Sequence, residues 1–191
     1  MKKKMKYLVR LTKKAQLIVF ALLLSPAQVL GLGQVTLKIG PETLRFDAPN
    51  EWQYAESFLN APLMIWGPDT GSKRVVLSIY NTKQDAKDIS KKNFWGDYDK
   101  YKSIKENWLK KNSGELISFY PFEIKKITKN GKSATMGLTY RKDDLVFHEM
   151  NYFFACNDKM YTASTLVTDY LLKKYGRDLK EVLSSIECLK K

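Results

Sequence analysis

Between residues 117 and 167 the sequence leaves the chain little freedom. Four apolar-rich extended segments, 117–128, 133–141, 145–156 and 159–167, are joined by short connectors carrying Asn130-Gly131, Lys142-Asp143-Asp144 and Asn157-Asp158. Asn-Gly favours the two positive φ values that a type I′ turn needs. Connectors this short cannot carry a crossover, so neighbouring strands must run antiparallel, and the region predicts a four-stranded meander. Upstream, 35–39 and 43–46 flank Gly40-Pro41, and 63–66 and 74–80 flank Gly67-Pro68-Asp69-Thr70-Gly71. These predict two further strand pairs.

Two helices accompany the strands. After a polar, lysine-rich stretch over 81–96, Tyr98, Tyr101, Ile104, Lys105, Trp108 and Leu109 recur at helical spacing. Asp97 or Asp99 is expected to satisfy the free N–H groups at the helix start. Lys110 and Lys111 oppose the partial negative charge at its end, and Asn112-Ser113-Gly114 stops it. A last helix begins near Thr168 or Asp169 and places Leu172, Tyr175, Leu179, Val182, Leu183 and Ile186 on one face. Gly176 either kinks this helix or marks its true beginning, and Cys188 is expected at its end. The fold class is α+β, an antiparallel β-sheet of N-terminal strand pairs and a meander, packed with at least two α-helices.

The first 27 residues hold seven of the 33 basic residues and no acid, and an apolar run follows the basic stretch over 15–24. This is the layout of an export signal, with Ser25 and Ala27 as the small residues of a cleavage site. Cleavage is expected after Ala27, with Gly31 and Gly33 as alternatives. The apolar run is too short to span a membrane. The domain organisation is therefore a signal peptide over 1–27 and a single domain over 28–191. Of the formal +13, seven charges belong to the leader, so the mature chain is only moderately basic. Export changes the meaning of Cys156 and Cys188, the two cysteines of the chain. In an oxidising compartment they are expected to pair, tying the last helix to the sheet. Their spacing is unlike Cys-x-x-Cys, and no activating context accompanies either thiol.

The element order resembles that of the PsbP/Mog/DcrB-like superfamily, of which this chain looks like a small exported bacterial member. The residues carrying the resemblance are Phe46, Pro49 and Trp52 after the first strand pair, and Ser184-Ser185-Ile186 before Cys188. The resemblance implies an α-β-α sandwich and brings no shared catalytic motif. It implies binding or accessory roles: PsbP on a photosynthetic complex, the Mog branch on a small GTPase, DcrB in a bacterial envelope.

Candidate sites are few. His148 is the sole histidine, and a catalytic role would require a clustered Ser, Asp or Glu within reach; a hydrogen-bonded sheet residue is the simpler reading. Glu149, adjacent in sequence, points to the other face of the sheet. Asp97 and Asp99 read as helix caps and Asp143-Asp144 as a turn. No metal or cofactor is expected, and the chain reads as non-catalytic. The segment 83–111, nine lysines and five acids with interleaved aromatics, is the best binding candidate, centred on Lys91, Lys92, Trp95, Tyr98 and Lys100. The competing reading buries Tyr101, Ile104 and Trp108 and leaves the lysines solvated. Export argues against nucleic acid and favours an envelope protein partner, or an anionic membrane surface. The expectation is a periplasmic or secreted monomer acting by protein contact. The alternative is a small ligand or lipid held in a pocket between sheet and helices.

Overall fold

A computed structural model describes residues 33–189, apart from 69, 71–73 and 130; over 91–98 it describes the helical backbone alone. The chain runs β1 (Gly33–Ile39), β2 (Glu42–Ala48), β3 (Gln53–Phe58), β4 (Ala61–Trp66) and β5 (Val76–Asp85). A 3-10 turn (Ala86–Asp88) leads into α1 (Lys91–Lys111). There follow β6 (Glu115–Ile124), β7 (Ser133–Lys142), β8 (Leu145–Cys156), β9 (Lys159–Thr168), α2 (Asp169–Ser185) and β10 (Glu187–Leu189). The strands form two antiparallel sheets, of order β1-β2-β10 and β3-β4-β5-β9-β8-β7-β6. The meander is present as expected, as four successive neighbours. Its turns use positive φ at Asp143, Asp144, Asn157 and Gly131. Asn130 lies outside the described residues.

Period-two alternation gives the large sheet two unlike faces. On one, α2 and the small sheet close the main core, which joins Leu44, Phe46, Trp52, Leu63, Ile79, Phe154, Tyr161, Leu179 and Val182. On the other, Ile89 packs with Phe122, Met136 and Phe153, and Leu109 of α1 packs with Leu138 and Tyr140. Along β8, Phe147, Glu149 and Phe153 therefore face α1, while His148, Met150, Tyr152 and Phe154 face α2.

Cys156 and Cys188 are bonded, with Cα atoms 5.3 Å apart. Cys188 does not end the helix, however. Helix α2 stops at Ser185, Ile186 caps it, and the chain then turns extended, so that Cys188 lies opposite Leu44 on the open edge of β2. An Arg45–Glu187 ion pair fixes this pairing. A further strand, polar 53–58, is not among those expected; the tight Leu59–Asn60 turn, both at positive φ, folds it onto β4. Two other expectations change. Helix α1 begins at Lys91, so Asp97 and Asp99 lie inside it rather than at its start. Buried Ile89 fixes the preceding turn, and tertiary packing sets that start. Gly176 neither kinks nor begins α2, which runs unbroken from its Thr168 cap, whose hydroxyl accepts from Leu171 N–H. No helix among the described residues is long and apolar enough to cross a membrane.

Candidate functional site

Over its described side chains, helix α1 is held to the sheet chiefly by the Glu149 carboxylate and by Leu109, with ring contacts from Tyr101 to Phe119 and Trp108 to Tyr140. Glu149 accepts from Tyr101 Oη at 2.7 Å through one oxygen and from Lys105 Nζ at 2.7 Å through the other. Burial, and then this carboxylate, push the Tyr101 phenol far above the ordinary tyrosine range. Leu109 is 2% exposed. After it, Ser113 adopts the left-handed conformation, and Gly114 donates to the Leu109 carbonyl at 2.8 Å. Gly114 must stay small, because an added Cβ would press on Leu109 and the Arg141 carbonyl.

The rest of that helix face is open. Ile104 is 55% and Trp108 41% exposed, so the reading that buries both is overturned; only Tyr101, half-buried, follows it. One ring edge of Trp108 meets Tyr140, which stacks on Phe147. Lys105 and Lys142 lie 6.0 and 5.7 Å from the Trp108 ring centroid, cation–π geometry on an indole still in contact with water. Lys100 is exposed on the same helix. The side chains of Lys91, Lys92, Trp95 and Tyr98 lie outside the described residues. Sequence spacing alone missed Trp108 as a surface residue, since helical periodicity cannot tell a covered stripe from an uncovered one.

On the opposite face α2 packs against β2, β8 and β9. Between it and the β6–β8 end of the sheet lies a groove of about 470 Å³. Met150 and Tyr152 form its floor and Leu172 and Leu179 its wall, with Lys125, Lys126 and Lys180 at the rim. Burial pushes the Tyr152 phenol up. The rim is built: the buried Ser133 hydroxyl donates to the Lys125 carbonyl at 2.7 Å and accepts from Ile127 N–H at 2.9 Å. Lys129 N–H reaches the Ile186 carbonyl at the end of α2, at 3.0 Å.

His148 sits in a hydrogen-bonded row. Its Nδ1 pairs with Thr139 Oγ1 at 3.1 Å, and Thr139 in turn meets Tyr120 Oη at 3.2 Å. Its Nε2 lies 3.3 Å from Asp169, which also holds Lys173 at 2.7 Å. Those two contacts, Lys173 first, keep the Asp169 carboxyl below its usual range. An acid within reach of His148 is thus present. The hydroxyl on the other ring nitrogen belongs to Thr139, which is 4% exposed. The row links β6, β7, β8 and α2. Among the described residues, no three metal-ligating side chains cluster.

No family model matches this sequence, and no curated protein sequence does. Structural comparison does find likenesses. Cyanobacterial PsbP (CyanoP) from Synechocystis sp. PCC 6803 superposes with a TM-score of 0.51 at 12% identity, over 86% of this chain and 96% of that one. The fold is PsbP-like. LpqN of Mycobacterium tuberculosis, described as involved in cell envelope biogenesis, superposes with a TM-score of 0.50 at 9% identity, over 86% of this chain and 95% of that one. At such identities the likeness concerns the PsbP-like architecture, as the Phe46, Pro49 and Trp52 pattern led one to expect.

Proposed function

We propose that this chain is an exported, non-catalytic accessory protein of the cell envelope that works by contact with a protein partner through the outer face of α1. The observation that carries the reading is the exposed Ile104–Trp108 pair among Lys100, Lys105 and Lys142. An exposed apolar anchor flanked by lysines, of which Lys105 is paired with Glu149 and Lys142 with Asp143, is the composition of a protein contact surface. Export is supported by the leader over 1–27 and by the Cys156–Cys188 bond, which persists in oxidising compartments. The envelope setting is supported by the architecture shared with LpqN. The protein is then periplasmic or secreted, and a monomer.

A photo-crosslinking residue at position 104 in intact cells tests the contact. The expected result is a discrete protein adduct, lost when Trp108→Ser is added and absent when the crosslinker is placed at Lys173 on the far side. Adducts to lipid alone would replace the protein partner with a membrane surface, and no adduct would remove the α1 reading. The groove beneath α2 favours a second reading, a small-ligand carrier, because its volume falls within the range of about 300–1,000 Å³ that encloses small molecules.

A further inference from the structure

We infer that the groove beneath α2 binds a single acyl chain with an anionic head, the chain lying on Met150 and Tyr152 and the head meeting the lysine rim. This rests on the second reading above, that the groove is a ligand site. It starts from Gly176, a glycine inside an otherwise well-formed amphipathic helix, where it weakens the helix relative to alanine. Its backbone is ordinary helix without positive φ, and an added Cβ would touch only Leu172 of the same helix. Neither conformation nor sheet packing requires the glycine. What its missing side chain does is hold the groove wall open between Leu172 and Leu179.

The floor is shaped by a second glycine. Gly137 lies directly under Met150, and a Cβ there would collide with the Met150 sulfur and the Glu149 carbonyl. Met150 can therefore lie flat along β7, giving an unbranched, adaptable surface of the kind that accepts alkyl chains. At the rim, Lys125, Lys126 and Lys180 stand against one carboxylate, Glu123. None of the three lysines is in an ion pair among the described residues. A neutral apolar ligand would leave these charges unused, and a polyanion would leave the apolar floor unused. A molecule with one alkyl chain and one negative head uses both.

The test is displacement of dansylaminoundecanoate from the purified protein with its disulfide intact, using laurate, decanoate and the neutral 1-lauroylglycerol below their micelle concentrations. Laurate should displace the probe. Decanoate, two methylenes shorter, should bind more weakly by up to about 15-fold, since each buried methylene is worth about fourfold. The neutral lauroylglycerol should trail laurate by about tenfold, and the gap should narrow as salt screens the lysines. Gly176→Leu should abolish displacement with little change in melting temperature, because its close neighbour is the movable end of Leu172 and leucine favours helix over glycine. Lys126→Gln with Lys180→Gln, at exposed positions, should weaken laurate and leave lauroylglycerol unchanged; this pair decides the matter if Gly176→Leu fails to fold. Equal binding of laurate and lauroylglycerol would overturn the anionic head while the groove remains a ligand site. No displacement by either would overturn both, and undiminished binding by folded Gly176→Leu would place the site elsewhere.

Discussion

The two helices lie on opposite faces of one sheet and are held in opposite ways. Helix α2 has a side-chain N-cap at Thr168 and buries Leu171, Leu179, Val182 and Leu183. Its end runs straight into β10, which is paired with β2 and bonded through Cys188 to Cys156. Over the described part of α1, Leu109 is the only fully buried hydrophobic, and Glu149 is the main polar anchor. Its exposed surface carries a tryptophan and an isoleucine. A helix whose apolar residues are satisfied by its own sheet is scaffold; one that leaves them in water has surface to spend on something else. The contrast separates the helix that closes the main core from the helix that leaves most of its described apolar face open.

The strongest way to break the contrast is to cut the bond under α2. Reduction, or Cys156→Ser with Cys188→Ser, should lower stability by up to about 3.5–4 kcal/mol in the chain-entropy account of a loop this size. Denaturant unfolding with and without reductant measures it. Hydrogen exchange should rise first in β10 and the last turns of α2, with α1 unaffected. A loss shared equally by both helices would mean that the disulfide does not distinguish them.

Truncation inside each helix comes next. Leu179→Ala should cost about 2–4 kcal/mol, as large-to-small changes in a closed core do. Leu109→Ala should cost a similar amount, being the single buried apolar anchor described for α1. Ile104→Ala on the same helix should stay within about 0.5 kcal/mol, as surface changes do. Thermal or urea midpoints of the three variants check the order. If Ile104→Ala proved as costly as Leu109→Ala, the face would be packed rather than open.

Much of this contrast is legible in the sequence, and what is not has identifiable physical causes. The meander followed from Asn-Gly and the paired Asp turn, which are local chemistry. The amphipathic pattern from Leu172 to Ile186 marked α2, although Leu171, outside that pattern, is the residue its first turn buries. The disulfide followed from two cysteines and a leader. By contrast, β3 and β10 are strands only because the edges of β4 and β2 accept them, and pairing with a distant edge leaves no local mark. The start of α1 depends on Ile89 finding Phe122, Met136 and Phe153. The exposure of Trp108 depends on how the helix is set over β6 and β7, where only one ring edge reaches Tyr140. The groove was foreseen only as a general pocket between sheet and helices. Its one local sign was Gly176, which in sequence reads equally as a kink or a helix start.

A finer test lies in the alkaline range, where the faces differ through their tyrosines. Tyr101, Tyr140, Tyr152 and Tyr161 are all held above the ordinary value by burial, Tyr101 most strongly. In the unfolded chain they ionise near about pH 10. From there upward the folded state keeps protons that the unfolded state has lost, so stability falls as pH rises. Tyr101→Phe should make that fall shallower, while costing about 0.5–1.5 kcal/mol at neutral pH through loss of the bond to Glu149. Urea unfolding at about pH 8 and about pH 10.5 separates the two effects. The same fall in wild type and Tyr101→Phe would mean that α1 is not closed over that phenol.

The smallest expected effect is on the acid side and belongs to α2. Asp169 carries a carboxyl lowered first by Lys173 and then by His148, at a half-exposed site where water screens both. Its stabilising contribution is complete above the unfolded value of about 3.9 and disappears as pH falls through the lower folded value. Asp169→Asn should therefore be slightly less stable than wild type at neutral pH, and the two should converge in acid. The ordering matters more than the size. Lys173→Gln should reproduce most of the change, and His148→Gln less of it, because the lysine is the larger cause. If His148→Gln were the costlier variant, the row through Thr139 and Tyr120 would be holding α2 to β6 and β7 more firmly than the lysine contact does.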